Sequence, residues 1–239
     1  MTTTPLFITS CKQIELASFS GVCTECKFDR EYFNDSLFSN FKILFPAQLD
    51  KAVTKRKAEF LAGRYVAKES FIKAGIPLAD ITIGEQRAPI WPASIRGSIT
   101  HNGEYALCAI TQEPDSIGID IETMMSFEMA NSIKSSLVNS AEEALSKHYQ
   151  GAFEEWLSLV FSIKESLFKA LYPGVQKYFD FLDAQVVKID PINQSISLVL
   201  LTDLTPSIQA GQHFSGFYQL RGDSVLTWVH CANIYAEAQ

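Results

Sequence analysis

Two stretches of this 239-residue chain carry a helical period long enough to organise a domain, and each is accompanied by short alternating runs. Over residues 48–74, apolar side chains such as Phe60, Leu61, Tyr65 and Ile72 return every three or four positions until Gly75 and Pro77 stop the pattern. Over 153–171 the stripe Leu157, Val160, Phe161, Phe168 and Leu171 behaves similarly, with Pro173 and Gly174 behind it. Strands are predicted at 6–9, 14–19, 95–100, 105–111 and 116–122, and again at 184–189, 195–201, 214–220 and 225–232. Residues 125–150 read as two short helices, and Asn102-Gly103 as the turn of a hairpin. The expected fold class is α+β, with two similar halves in a pseudo-twofold arrangement, each a long helix on antiparallel strands. The predicted division is 1–123 and 124–239, and no sequence repeat accompanies it.

A formal charge of −7 argues against a partner made of nucleic acid, whose backbone needs clustered Lys and Arg. Five cysteines, an odd number without framework spacing, predict a reducing compartment. Cys23-Thr-Glu-Cys26 has the spacing of half a zinc or redox site but lacks a second pair. The start, Met1-Thr-Thr-Thr-Pro5, has no basic segment leading into an apolar core, and no apolar run approaches the ~18 residues of a membrane span. A cytoplasmic protein without a membrane span is expected.

In Ile117-Gly-Ile-Asp-Ile-Glu122, the period of two puts the isoleucines on one face and Gly118, Asp120 and Glu122 on the other. Two carboxylates about 7 Å apart repel unless a cation lies between them, which points to a hard divalent metal. A strand edge with two solvated acids fits the same letters. On the second long helix, Ser158, Ser162, Glu165 and Lys169 follow one line beside the apolar stripe. Glu165 and Lys169 alone describe a surface i, i+4 pair; beside the strand acids they also describe a third oxygen ligand and a cation for a phosphate. Arg56, Lys57 and Arg64 fall within about 100° of one another on the first long helix, either a phosphate-binding face or a solvated one. His101 stands where a strand enters a turn, a place for either a structural or a cleft-facing ring.

Taken in order, these segments resemble the enterobactin-synthetase type of 4′-phosphopantetheinyl transferase, within the larger surfactin-synthetase-type superfamily. The likeness runs from about Lys55 to Leu171. Arg56-Lys-Ala-Glu-Phe-Leu-Ala-Gly-Arg64 resembles the segment that grips the 3′-phosphate and adenosine of coenzyme A, which makes Arg56 and Arg64 ligands. Arg87-Ala-Pro-Ile-Trp-Pro92 is similar to the loop beside the nucleotide, and Gly97-Ser-Ile-Thr-His101 to the segment whose histidine binds phosphate, implicating Arg87, Thr100 and His101. Thr100 stands where many relatives have Ser, and Gln86 near a position that is basic in some. Gly118-Ile-Asp-Ile-Glu122 matches the metal-binding acids. Phe161-Ser-Ile-Lys-Glu-Ser-Leu-Phe-Lys169 matches the long-helix motif, with Glu165 as third carboxylate and Lys169 on the pyrophosphate.

The resemblance implies a Mg²⁺-dependent transfer, with Mn²⁺ able to substitute, of phosphopantetheine from coenzyme A to a serine of an apo peptidyl, aryl or acyl carrier protein. It further implies coenzyme A in a cleft between the halves, catalysis by Asp120, Glu122, Glu165 and Lys169, and Glu165 as base, metal ligand or both. Nonribosomal peptide or siderophore synthesis is the implied setting, and the protein is expected to act as a monomer. The carrier would dock near residues 124–129, where Met124, Met125, Phe127 and Met129 stand as adaptable apolar contacts or as core. Two rivals are a different Mg²⁺-dependent nucleotidyl or phosphoryl transferase, weakened by the lack of a Gly-x-x-x-x-Gly-Lys loop, and a non-catalytic coenzyme A-binding protein.

Overall fold

A computed structural model describes residues 6–231; the start at 1–5 and Ala232, the end of the last predicted strand, lie outside them. The chain divides into two compact units, Met1–Glu113 and Pro114–Gln239. The division falls earlier than the expected 123/124, because the strand with the two acids pairs with the last strand of the chain and belongs to the second unit.

The first unit contains β1 (Ile8–Ile14), β2 (Val22–Phe28), α1 (Ser36–Asn40), α2 (Thr54–Lys73), β3 (Thr82–Ile83), β4 (Pro89–Ile90), β5 (Arg96–His101) and β6 (Tyr105–Thr111). Its four-stranded antiparallel sheet has the order β1-β2-β6-β5, and β3 pairs with β4 alone. One strand, β1, replaces the two predicted at 6–9 and 14–19. The strand β2 was not legible because nearly all of it is buried, Thr24 and Glu25 included, so no alternation marks it. Glu25 is compensated across the pair by Lys12 at 3.2 Å.

The helix α2 begins at Thr54 rather than 48 and lays Phe60, Leu61, Val66 and Phe71 into a core shared with Phe28, Phe38 and Ile110. It ends because Gly75 adopts φ 67°, which lets Gly75 N–H donate to Ile72 O at 3.1 Å and Ile76 N–H to Phe71 O at 2.9 Å. In the β5–β6 hairpin, Asn102 Oδ1 accepts from the amides of Glu104 and Tyr105 at 3.0 and 2.9 Å, so the asparagine side chain shapes the turn.

Cys11 and Cys26 stand opposite in the β1–β2 register and are disulfide-bonded, a pairing across two strands that the cysteine spacing did not suggest. Cys23 lies three residues from Cys26 on the same strand, hence on its other face, which rules the pair out as joint metal ligands.

The second unit runs β7 (Ser116–Thr123), α3 (Phe127–Leu137), α4 (Ser140–Ser146), α5 (Phe153–Val175), β8 (Ala184–Asp190), β9 (Ser195–Leu200), β10 (His213–Arg221) and β11 (Ser224–Cys231). Its five-stranded antiparallel sheet has the order β7-β11-β10-β9-β8. α5 packs on β7 and β11 and contributes Trp156, Leu157, Val160, Ile163, Leu167 and Leu171 to the core. It continues through Pro173 to Val175 because a proline in the last turn removes one backbone bond only; Gln176, at φ 51°, ends it.

Gly118 does not leave open space beside the acids, as the strand pattern suggests. A Cβ there would run into the α5 backbone at Ser166 O and Ala170 N, so the missing side chain is what lets the helix lie against β7. Gly118→Ala is therefore expected to destabilise the protein by about 1–3 kcal/mol through overpacking, read as a lower urea midpoint.

Candidate functional site

In the first unit, one face of α2 lines a cavity of about 580 Å³ with Arg56, Glu59 and Arg64, opposite Ile99 and His101 of β5 and beside Arg87. Arg64 donates from Nε to Ile81 O at 2.8 Å and lies 4.5 Å over the Phe60 ring centroid. Burial lowers its pKa to about 10, which leaves it charged at neutral pH. Arg87 follows Gln86 in a turn where both residues have left-handed φ, 62° and 49°. Such backbone costs on the order of 1 kcal/mol or more per residue, and here it places the guanidinium at the cavity.

Two expectations change. Lys57 does not share the face of Arg56 and Arg64: its ammonium binds Asp35 at 2.9 Å and covers the Phe45 ring, one helical step around α2. Thr100 is buried and leaves β5 on the face opposite His101, away from this cavity. Glu59 was not anticipated, although its i+3 spacing from Arg56 is the signal that finds it.

In the second unit, β7 and α5 bring the acids and the lysine together. Asp120, only 3% exposed, receives Lys169 Nζ at 2.6 Å on Oδ1 and Ser162 Oγ at 2.9 Å on Oδ2. Lys169 also donates to Ile119 O at 3.2 Å. Ser162 and Ser166 both meet the Thr227 hydroxyl, at 2.9 and 2.7 Å, so the polar line of α5 is a buried seam against β7 and β11. The alternative of an isolated surface pair of Glu165 with Lys169 gives way to the contact of Lys169 across to Asp120.

Burial raises the Glu165 pKa; the Lys169 charge opposes that shift and Asp120 adds to it. For Lys169, burial works against the charge, and Asp120, Glu165 and Glu122 outweigh it to raise the pKa. The three carboxylates thus all favour the charge on Lys169, and Asp120 also acts on Glu165. Among the described residues, no three His, Cys, Asp or Glu side chains stand ready to hold a metal ion. The oxygen-only donors of Asp120, Glu122 and Glu165 fit a hard divalent cation in kind, with both oxygens of Asp120 already engaged by Lys169 and Ser162.

Lys164, next to Glu165, points elsewhere. It donates to Leu137 O, Phe181 O and the Glu142 carboxylate at 2.8, 2.9 and 2.8 Å, with both charged side chains buried. Glu142 also accepts from Val186 N and Asn139 N at 2.8 and 3.1 Å. The capping-box spacing Asn139-x-x-Glu142 was readable, whereas the ion pair was not. In residues 124–129, Met125 is core and Met124 packs against it, while Phe127 and Met129 are 58% and 53% exposed. No described helix is long and apolar enough to cross a membrane.

Residues 45–111 match the family described as 4'-phosphopantetheinyl transferase N-terminal domain, and residues 116–227 the 4'-phosphopantetheinyl transferase superfamily. Enterobactin synthase component D of Escherichia coli K12 is 40% identical over 141 residues, covering 59% of this chain and 66% of that protein, just under two thirds of its length. The Salmonella typhi protein of the same name is 32% identical over 200 residues, 82% of each chain. 4'-Phosphopantetheinyl transferase Svp of Streptomyces mobaraensis is 30% identical over 190 residues, 77% of this chain and 76% of that one.

The buried pair beside Glu165 generates a stability prediction. Lys164→Met leaves Glu142 buried without its cation and is expected to cost about 3–5 kcal/mol in urea unfolding. Adding Glu142→Leu should recover only part of that loss, because the Val186 and Asn139 amides then lose their acceptor.

Proposed function

Because this chain belongs to the 4′-phosphopantetheinyl transferase superfamily, we propose that it transfers 4′-phosphopantetheine from coenzyme A to a serine hydroxyl of an apo carrier protein, in the service of siderophore or other nonribosomal peptide synthesis. The serine oxygen bonds to the β-phosphorus, the bond from that phosphorus to the bridging oxygen breaks, and adenosine 3′,5′-bisphosphate leaves with the electron pair. The observation that carries this reading is the contact of Lys169 on α5 with Asp120 on β7 at 2.6 Å, with Glu165 and Glu122 on the same two elements.

Glu165 takes the serine proton; its raised pKa suits a general base better than an ordinary carboxylate would. Lys169, with 27% of its side chain exposed, offers its ammonium to a pyrophosphate oxygen while Asp120 keeps it charged and in place. Asp120, Glu122 and Glu165 are the proposed ligands of Mg²⁺, or of Mn²⁺ in its stead, which supplies positive charge against the pyrophosphate. Arg56, Arg64, Arg87 and His101 bind the nucleotide phosphates through the cavity they line. Thr100 has no part in that cavity. We further propose that the protein works as a monomer in the cytoplasm.

Phe127 and Met129 offer the carrier an apolar contact on α3, at the site proposed near residues 124–129. Replacing both with Ala is expected to raise KM for the carrier about tenfold and leave KM for coenzyme A unchanged, measured by steady-state transfer; equal carrier KM values would remove this surface.

Mass spectrometry of an apo carrier domain after incubation with protein, Mg²⁺ and coenzyme A tests the reaction. Glu165→Gln should keep the folded far-UV spectrum and lower the rate at least about 100-fold. A fully active Glu165→Gln protein would discard the base assignment, and an unmodified carrier with every carrier type would discard the function.

A further inference from the structure

Among the described residues, Glu59 is the only acidic one lining the cavity of Arg56, Arg64, Arg87 and His101. A carboxylate placed there as a bare charge would weaken any anion the cations attract. Its surroundings give it a different task. Glu59 is 8% exposed, Lys55 Nζ lies 3.9 Å from Oε1, and His101 Nδ1 lies 4.0 Å from Oε2, within ion-pair range. On the far side of the imidazole, Nε2 is 3.5 Å from Arg56 Nη1.

A guanidinium only donates, so the ring nitrogen that faces Arg56 carries the lone pair. The ring proton of the neutral form is then on Nδ1, the nitrogen turned to Glu59. Both Arg56 and Glu59 come from α2, one turn apart, and the ring comes from β5, so the order carboxylate, imidazole, guanidinium is fixed by the packing of one helix on one strand.

We propose that Glu59 is a positioning residue for His101, its carboxylate lying 4.0 Å from Nδ1 so that Nε2 faces the phosphate-binding cations and the ring, once protonated, is paired on both sides. This rests on the nucleotide role proposed above for the cavity. A phosphate that enters brings a proton to Nε2, its own or one from solvent, and the imidazolium then lies between two anions, the phosphate and Glu59. Carboxylate partners of this kind fix the tautomer and raise the basicity of histidines that bind metals, and the same physics applies to a phosphate ligand. Burial raises the pKa of Glu59, and Lys55, Arg56 and Arg30 oppose that shift.

Two measurements test the assignment. In ¹⁵N-histidine spectra of the ligand-free protein, His101 should be the Nδ1–H tautomer, which Arg56 alone favours, and in a ¹⁵N-detected pH titration Glu59→Ala should lower the pH at which the ring protonates. In calorimetry, Glu59→Ala should weaken adenosine 3′,5′-bisphosphate about tenfold, whereas in a His101→Ala background the same change should matter less than about twofold. Glu59→Gln, nearly isosteric, keeps an acceptor for Nδ1–H; it should retain the tautomer and bind with intermediate affinity. An unchanged His101 titration in Glu59→Ala, or affinity equal to or tighter than wild type, would overturn the proposal, since a carboxylate acting only as charge must repel the ligand. The titration is read without nucleotide, so wild-type protein that fails to bind the bisphosphate refutes the cavity's proposed role separately.

Discussion

The carboxylate of Asp120 is the point on which the second unit turns. It is nearly inaccessible to water, and burial of an ionised acid is tolerated only with partners. Lys169 and Ser162 supply them from two successive levels of α5, and Thr227 extends the seam into β11. The contact is possible only because Gly118, one alternation earlier on β7, has no side chain to hold the helix off. Packing and chemistry are therefore joined: the close approach that stabilises the helix on the sheet also delivers Glu165 and Lys169 to the strand acids.

Both units use a buried countercharge to set the position of another group. Glu59 lies among the cations of the first unit beside His101, and Glu142 receives Lys164 in the second, one residue from Glu165. Pairs of this kind contribute little net stability compared with apolar packing, but they are costly to break and hold their members in one geometry. That property matters most next to side chains that must meet a phosphate or a proton at a defined distance. Arg87 is held differently, by two consecutive left-handed residues rather than by an ion pair.

Much of the fold was legible because it follows from local periods. The β6, β8 and β10 segments, the two short helices, the Asn102 hairpin and the long helix of the second unit lie close to where alternation and the 3.6-residue period put them. The misses share a cause. The strand β2 carries buried polar residues on a strand covered on both sides, which erases alternation, and β1 has no buried residue, with Thr9, Ser10, Lys12 and Gln13 exposed. The early boundary of the second unit depends on β7 pairing with β11, a contact across more than a hundred residues that no local pattern encodes.

The sequence by itself determined which side chains could do chemistry: Asp120 and Glu122 on one strand face, Glu165 and Lys169 on one helix face, and basic residues on another helix. Tertiary structure alone decided their partners. Lys169 meets Asp120 rather than Glu165, Lys57 leaves the basic face for Asp35, and Glu59 enters the cavity. The physical reason is that a period fixes the direction of a side chain relative to its own element. What lies opposite depends on how closely and in what register two elements pack, and here a missing Cβ and one buried carboxylate set that register.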